Sequence, residues 1–337
     1  MELDALDRKI LIVLGRNGRA GIKHIARKVR SSPEVVRYRL ARLEKQGVIR
    51  RHMALVNFSE LGFIGYGVFC CFESEEGRKA ALEFLKAHQR VYWMADFGGR
   101  FDLAFAVMAR NDFEFYSIFS QIKEKARGAL GGWEVAIRME LSQLPRDYLV
   151  GGARKTNAQT PYFGRELGKQ SLDKADFSIL KTISQNARAE TVAIAKKVSM
   201  PASTVAFRLK KLKERGILQG ATPQVECQKY GYQCFQFFLE VKGMDENRRR
   251  KVCAYAQANP NVVFLVETLG SWNFEMICEV HNQKDFQRQM AALRSAFPWL
   301  RKIESAIIFD HNVKYNLFPL EKKDKQINEM RGGATLE

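Results

Sequence analysis

The sequence is poor in the residues that build covalent and metal chemistry. Its 337 residues include 6 cysteines and 5 histidines. Cys70, Cys71, Cys227, Cys234, Cys253 and Cys278 form no C-x-x-C pair and sit mostly in apolar or alternating segments, which points to reduced, buried thiols. His24, His52, His88, His281 and His311 are scattered, so no metal site is suggested; no Ser/His/Asp set and no P-loop is present either. No run approaches the ~18 apolar residues of a membrane helix. Met1-Glu2-Leu3-Asp4 opens an acidic, amphipathic segment without the apolar core of a signal peptide. A cytoplasmic protein with no cofactor, no metal and no membrane partner is expected.

Basic charge is what the chain has in excess. Lys and Arg number 55 against 37 Asp and Glu, for a net charge of +18. The excess is local: residues 1–55 hold 14 basic and 5 acidic residues, and residues 172–220 hold 10 and 4. A basic patch on a helical module points to a polyanion.

Those two regions are one segment written twice. Residues 3–49 and 172–218 align without a gap at an offset of 169, with 17 identities in 47 positions, where composition alone gives roughly three. Leu3, Leu6, Ile10, Leu11 and Leu14 recur at helical spacing until Asn17-Gly18 signals a turn. Ile22, Ile25, Ala26 and Val29 mark a short second helix. Ser32 is a natural N-cap and Pro33 suits the first position of a third helix. Val36, Leu40 and Leu43 then face inward, Glu34, Arg37, Tyr38 and Ala41 face outward, and Gly47 closes the helix. Val48-Ile49-Arg50-Arg51 enters extended structure, as a wing would.

After residue 60 the period changes. Segments 64–72, 91–98, 101–109 and 133–141 read as strands and 75–88 and 112–126 as helices, giving β-α-β-β-α-β. The second half repeats the order with strands 233–241, 262–269, 273–280 and 303–311 and helices 245–258 and 284–296. The expected class is α+β, with two winged helix-turn-helix domains each followed by a ferredoxin-like domain. The expected divisions are 1–55, 60–149, a polar linker 150–170 that lets the units dock in more than one way, 171–222, 229–320, and a disordered tail 321–337.

The string Leu3-Asp4-x-x-Asp7-x-x-Ile10-Leu11, Asn17-Gly18-Arg19, Ile25-Ala26, Ser32-Pro33-x-x-Val36-x-x-Arg39-Leu40-x-x-Leu43-Glu44-x-x-Gly47-Val48-Ile49, followed by β-α-β-β-α-β, resembles the Lrp/AsnC family of transcription regulators. The resemblance implies binding to double-stranded DNA, an assembly domain that dimerises through its sheet, and sensing of an amino acid or related metabolite. Family members usually carry one copy per chain. Two copies imply a pseudo-dimer within one chain, or reciprocal pairing of two chains, and a further homo-oligomer.

On this reading the DNA-binding candidates of the first head are Ser32, Pro33, Glu34, Arg37, Tyr38, Arg39, Arg42 and Arg50. Those of the second are Ser203, Thr204, Phe207, Arg208, Lys210 and Lys211. Arg39 and Arg208 carry an equal alternative, bracing the three-helix unit against Asp7 and Asp176. In the second head Pro201 stands at the cap, and Ser203, Ala206 and Phe207 replace Glu34, Arg37 and Tyr38. The two heads should therefore prefer different sequences, or the second should mainly hold the backbone. Phe97-Gly98-Gly99-Arg100-Phe101-Asp102 resembles the family's glycine loop, with Gly98, Gly99 and Asp102 as amino-acid ligands; an ordinary hairpin turn is the alternative. The second copy reads Gly270-Ser271-Trp272-Asn273, so Gly270 and Asn273 lack the acid. Sirohaem decarboxylases share the fold order, but their H-N-Y-x-R segment has no counterpart in Val91–Asp96 or Val262–Glu267, which contain no histidine. A metabolite sensor without DNA binding is the third reading.

Overall fold

The computed structural model describes residues 2–151, 154, 162–164 and 166–310. Helix α1 (Ala5–Arg16) starts at a capping box in which Asp4 accepts the N–H groups of Leu6 and Asp7 while the Asp7 carboxylate reaches back to the Asp4 N–H. Helix α2 (Ile22–Val29) follows, and α3 (Pro33–Lys45) begins at Ser32, whose hydroxyl accepts the Val35 N–H, with Pro33 in the first turn. Ile10, Leu14, Ile25, Val36 and Leu43 are fully buried between them. Gly47 takes φ +71°, a left-handed value that a glycine adopts without a Cβ clash, and the chain turns into strand β1 (Ile49–Val56).

The first ferredoxin-like domain comprises β2 (Ile64–Phe72), α4 (Glu75–Ala87), β3 (Val91–Gly98), β4 (Leu103–Ala109), α5 (Asp112–Lys125) and β5 (Leu130–Gln143), with sheet order β5-β2-β4-β3. A short strand β6 (Tyr162–Gly164) pairs with the far end of β5. The second unit repeats the plan as α6 (Lys174–Gln185), α7 (Thr191–Val198), α8 (Ala202–Glu214), β7 (Leu218–Val225), β8 (Gln233–Val241), α9 (Glu246–Ala258), β9 (Val262–Leu269), β10 (Phe274–Val280), α10 (Gln283–Ala296) and β11 (Leu300–Asp310), with sheet order β11-β8-β10-β9.

Each sheet leaves two free edges, and the other sheet takes both. β3 pairs with β11 and β9 pairs with β5, all antiparallel. The eight strands close into a ring, β2-β4-β3-β11-β8-β10-β9-β5 and back to β2. Closure removes the exposed edges that would otherwise recruit another chain. Alternation along each strand sorts the side chains into two layers. Val68 and Cys70 pack outward under α4 and α5, whereas Phe69 points inward. There it meets Phe101, Phe238 and Trp272 at ring-centroid distances of 5.5, 5.2 and 5.1 Å, so the two units share one aromatic centre.

The helix-turn-helix domains are joined in the same symmetric way. β1 and β7 form a two-stranded antiparallel ribbon, so the extended segment expected as a wing pairs with its counterpart in the other unit. Backbone bonds at its ends come in pairs related by the offset of 169: Asn57 N–H to Ile217 O (2.8 Å) with Glu226 N–H to Val48 O (2.9 Å), and Gly18 N–H to Ala221 O (2.9 Å) with Ala187 N–H to His52 O (3.1 Å). The Arg19 guanidinium donates to Ala187 O and Ala189 O, and Arg188 returns a bond to Gly18 O. In the one chain described, the two units thus pair with each other.

The stretch expected as a linker is tied down where it is described. Besides β6, the Gly168 and Gln170 N–H groups donate to Ser59 O and Glu60 O. The buried Arg154 side chain binds Asp147 and the carbonyls of Pro145, Ala256, Pro260 and Val262. The correction to the freely docking linker is physical: these bonds join it to both ferredoxin-like domains. The tail 321–337 lies outside the described residues.

Candidate nucleic-acid interface

Two surfaces were expected to carry function, the outer faces of the third helices and the glycine loop. On α3, Glu34, Arg37 and Tyr38 are exposed, with Tyr38 at 67%. Ser32 is spent as a cap and Pro33 is half-buried, so these two shape the helix start. The Glu34 carboxyl is held below its ordinary range by its own backbone N–H and by Ser32, so it stays anionic beside Arg37. Arg50 is 40% exposed and lies 3.5 Å from Glu226 of the second unit.

Arg39 and Arg42 face the other way. Arg39 is paired with Asp4 and lies 3.4 Å from the buried Asp7, and Arg42 is hydrogen-bonded to Asp7. In the second head Arg208 binds Asp173 and Asp176 at 2.7 and 2.8 Å, and Arg215 joins Asp176 at 3.2 Å. Arg39 and Arg208 thus make the ion pairs of the bracing alternative, and Arg42 makes one as well. An arginine reaching from the third helix to a capping carboxylate ties two helices through a charge-assisted bond. Bonds from the following backbone N–H groups, together with the arginine, hold the Asp4 and Asp173 carboxyls below their ordinary range.

The second outer face is different. α8 begins at Pro201 with no side-chain cap, and Ser203, Ala206 and Phe207 are exposed, Phe207 at 60%. Thr204 is half-buried. Lys211 lies 2.9 Å from Glu214, Lys210 3.8 Å from the same carboxylate, and the Lys211 ammonium also sits 5.7 Å from the Phe207 ring centre. Sequence reasoning passed over Lys23 and Arg30 at the two ends of α2, which are exposed. Their counterparts Val192 and Ser199 are exposed too, Val192 at 68%.

The glycine loop is built into the barrel seam. Gly98 pairs with Ile307 of β11, and a Cβ there would lie 2.4 Å from the Phe309 ring. Asp102 accepts the Phe72 N–H at 2.7 Å, and Asn273 accepts the Val241 N–H at 2.7 Å in the second unit. The acid and the amide thus perform the same strand-end latch. On its open side Asp102 borders a groove of about 340 Å³ with Glu73, Ser74, Glu75, Arg78 and Phe97. Arg78 is paired with Asp96, and its counterpart Arg249 with Glu267. Gly99 has φ +110° at the tip, and Gly270 abuts Val135 O, which a Cβ would approach to 2.9 Å.

Comparison with known proteins agrees with this architecture. The AsnC-type helix-turn-helix domain family matches residues 3–44, and the winged helix-turn-helix DNA-binding family matches residues 172–219. An uncharacterised HTH-type transcriptional regulator of Pyrococcus horikoshii is 41% identical over 63 residues, 19% of this chain and 40% of that protein. One of Pyrococcus furiosus is 40% identical over 60 residues, so the chain spans about two fifths of the length of these relatives. The HTH-type transcriptional regulator AldR of Mycolicibacterium smegmatis is 23% identical over 163 residues, 48% of this chain and 94% of AldR. Among solved structures, the siroheme decarboxylase NirDL aligns over 97% of this chain and 99% of its own with a TM-score of 0.60 at 14% identity. That likeness establishes the two-unit fold.

Proposed function

We propose that the chain is a tandem Lrp/AsnC-type protein, a sequence-specific double-stranded DNA-binding transcription regulator of the cytoplasm. The observation that carries the reading is the sorting of charge on the third helix: Arg39 and Arg42 are consumed by the Asp4/Asp7 brace, while Arg37 and Tyr38 stand free on the exposed face. A recognition helix needs that division, rigid support behind and donors in front. Arg37 and Tyr38 read base edges, Glu34 accepts from a base donor, and Arg50, Lys210 and Lys211 contact phosphates, with Ser203, Thr204 and Phe207 on the second helix.

An amino-acid effector fits the groove at Asp102, where it would add its ammonium to the Asp102 carboxylate, which already accepts the Phe72 N–H, and its carboxylate to the Arg78 guanidinium, which already pairs with Asp96. We read the chain as a binding protein and not as an enzyme. Val91–Gly98 and Val262–Leu269 are barrel strands without histidine. Among the described residues, the cavity between ribbon and barrel, lined by Met53, Trp93, Arg138, Gln143 and Phe264, is about 50 Å³, below the ~300 Å³ of drug-sized sites.

Electrophoretic shift of the full chain on labelled duplex DNA tests the proposal. Retardation that weakens steeply with salt is expected, with selectivity on sequences enriched from a random pool. Absence of any shift at micromolar protein and low salt would remove DNA binding and leave the metabolite sensor. Thermal-shift screening with single amino acids tests the effector groove.

A further inference from the structure

We infer that the natural target is an asymmetric duplex: one base-specific half-site under α3, joined about one helical turn away to a second half-site, under α8, with little sequence requirement beyond thymine. The inference rests on the DNA-binding reading above and adds what each head asks of the DNA.

The heads cannot act independently. The β1/β7 ribbon, the reciprocal Arg19 and Arg188 bonds and the closed barrel make them one body within one chain. Identical heads held about a two-fold axis would demand a palindrome. These heads share a frame and differ on its outer surface. Three exposed cationic positions of the first head, Lys23, Arg30 and Arg37, are Val192, Ser199 and Ala206 in the second. Arg37 can make a bidentate bond to guanine O6 and N7, and Ala206 offers no polar group to any base. Tyr38 carries a hydroxyl, whereas the exposed Phe207 ring can meet only an apolar group, and in the major groove that is the thymine methyl. What α8 offers instead is the exposed Lys210, Lys211 and Lys213, standing where α3 has Ala41, Arg42 and Glu44, and lysines of this kind hold phosphates without reading sequence.

Selection of bound duplexes from a randomised pool by the full chain provides the test, repeated with the triple variant Ser203→Glu/Ala206→Arg/Phe207→Tyr, which transplants the first face onto exposed positions of the second. The native chain is expected to enrich one informative half-site and one weak, thymine-bearing half-site. The triple variant is expected to enrich an inverted repeat of the informative half-site. Arg37→Ala should weaken binding to the native site about 5- to 150-fold, and Phe207→Ala less than about threefold. A palindrome with two equally informative halves from the native chain would overturn the inference while leaving DNA binding intact, and so would an unchanged site from the triple variant. Failure to retain any duplex would instead overturn the DNA-binding reading on which both depend.

Discussion

The two units are near copies in backbone and unlike in chemistry, and two of the differences stand out. One is the outer face of the third helix, already described. The other is the barrel interior. On β5 the first unit carries Arg138, aligned with Gly65 of β2, and the second carries Ile308, aligned with Cys234 of β8. Arg138 reaches the fully buried Glu275 at 3.0 Å, Glu275 also accepts from Gln236 at 3.1 Å, and the Tyr92 hydroxyl lies 3.4 Å from the guanidinium. Gly67 makes room: a Cβ there would sit 2.9 Å from Arg138 Nε. Its counterpart in the second unit is Gln236. A single-copy dimer would have to place every such group twice about its axis. In a duplicated chain each unit can carry one half of a pair, and this ion pair joins unit one to unit two.

The largest test of that contrast is Arg138→Ala. It strands Glu275 in the barrel, and breaking one side of a buried pair costs about 3–5 kcal/mol. Urea unfolding should show that loss, and Arg138→Met with Glu275→Met should recover most of it. Burial already pushes the Glu275 carboxyl up, with Arg138 opposing. In Arg138→Ala it should rise further, so the variant should regain stability as pH falls and lose it as pH rises through that value. A double variant no more stable than the single one would refute the pairing role.

The ribbon offers a graded version of the comparison. Arg19 donates two bonds to the second unit and Arg188 one to the first. Hydrogen bonds from a charged donor contribute roughly 1.5–3 kcal/mol each. Arg19→Ala should therefore destabilise more than Arg188→Ala, and the pair should be non-additive if the bonds hold one joint. Equal losses would mean that the asymmetry is decorative.

These joints also mark where the sequence was legible and where it was not. Strands 64–72, 91–98, 233–241 and 262–269 stand where their β-branched and aromatic content placed them, because that composition is a local signal. The start of β4 at Leu103, two residues later than read, reflects Phe101 and Asp102 closing the turn. Strand-to-strand closure between units has no local signal, so the ring could be anticipated as a docked dimer but not drawn. β6 is three residues inside a polar stretch, too short for any period. At the candidate site, the outer faces of α3 and α8 followed from helical spacing. The sharing of Asp7 between Arg39 and Arg42 depends on helix packing, and the sequence leaves bracing and reading open. Arg19 and Arg188 had a signal, the repeated Asn-x-Arg at 17–19 and 186–188, but identity between copies marks a shared joint as readily as a shared contact to DNA.

A smaller effect separates the helix starts. Ser32→Ala removes the cap of α3 and should cost about 1 kcal/mol in unfolding. Pro201→Ser would give α8 the cap it lacks, but it also returns freedom to the unfolded chain worth about 0.4–1 kcal/mol. The two terms offset, so a change within a few tenths of a kcal/mol is expected. A gain of a full kcal/mol would show that the uncapped start of α8 is strained.

The last difference is one of pH. His52 is buried at the ribbon, and its counterpart is Ala221. Burial lowers its pKa, with the nearby Arg188 acting in the same direction and the Glu44 carboxylate, 2.9 Å from Nε2, opposing. The folded value thus lies below the ordinary 6.5. The unfolded chain binds the proton first as pH falls, so the contribution of neutral His52 is complete above 6.5 and is lost between 6.5 and the folded value. Only one unit carries this group, and Glu44 blunts it, which makes it the smallest of these effects. Thermal unfolding followed from pH 8 to pH 5 should show a decline below 6.5 that His52→Ala flattens. If the wild-type and His52→Ala curves run parallel through that window, His52 is not the titrating group and the ribbon's two sides respond to acid alike.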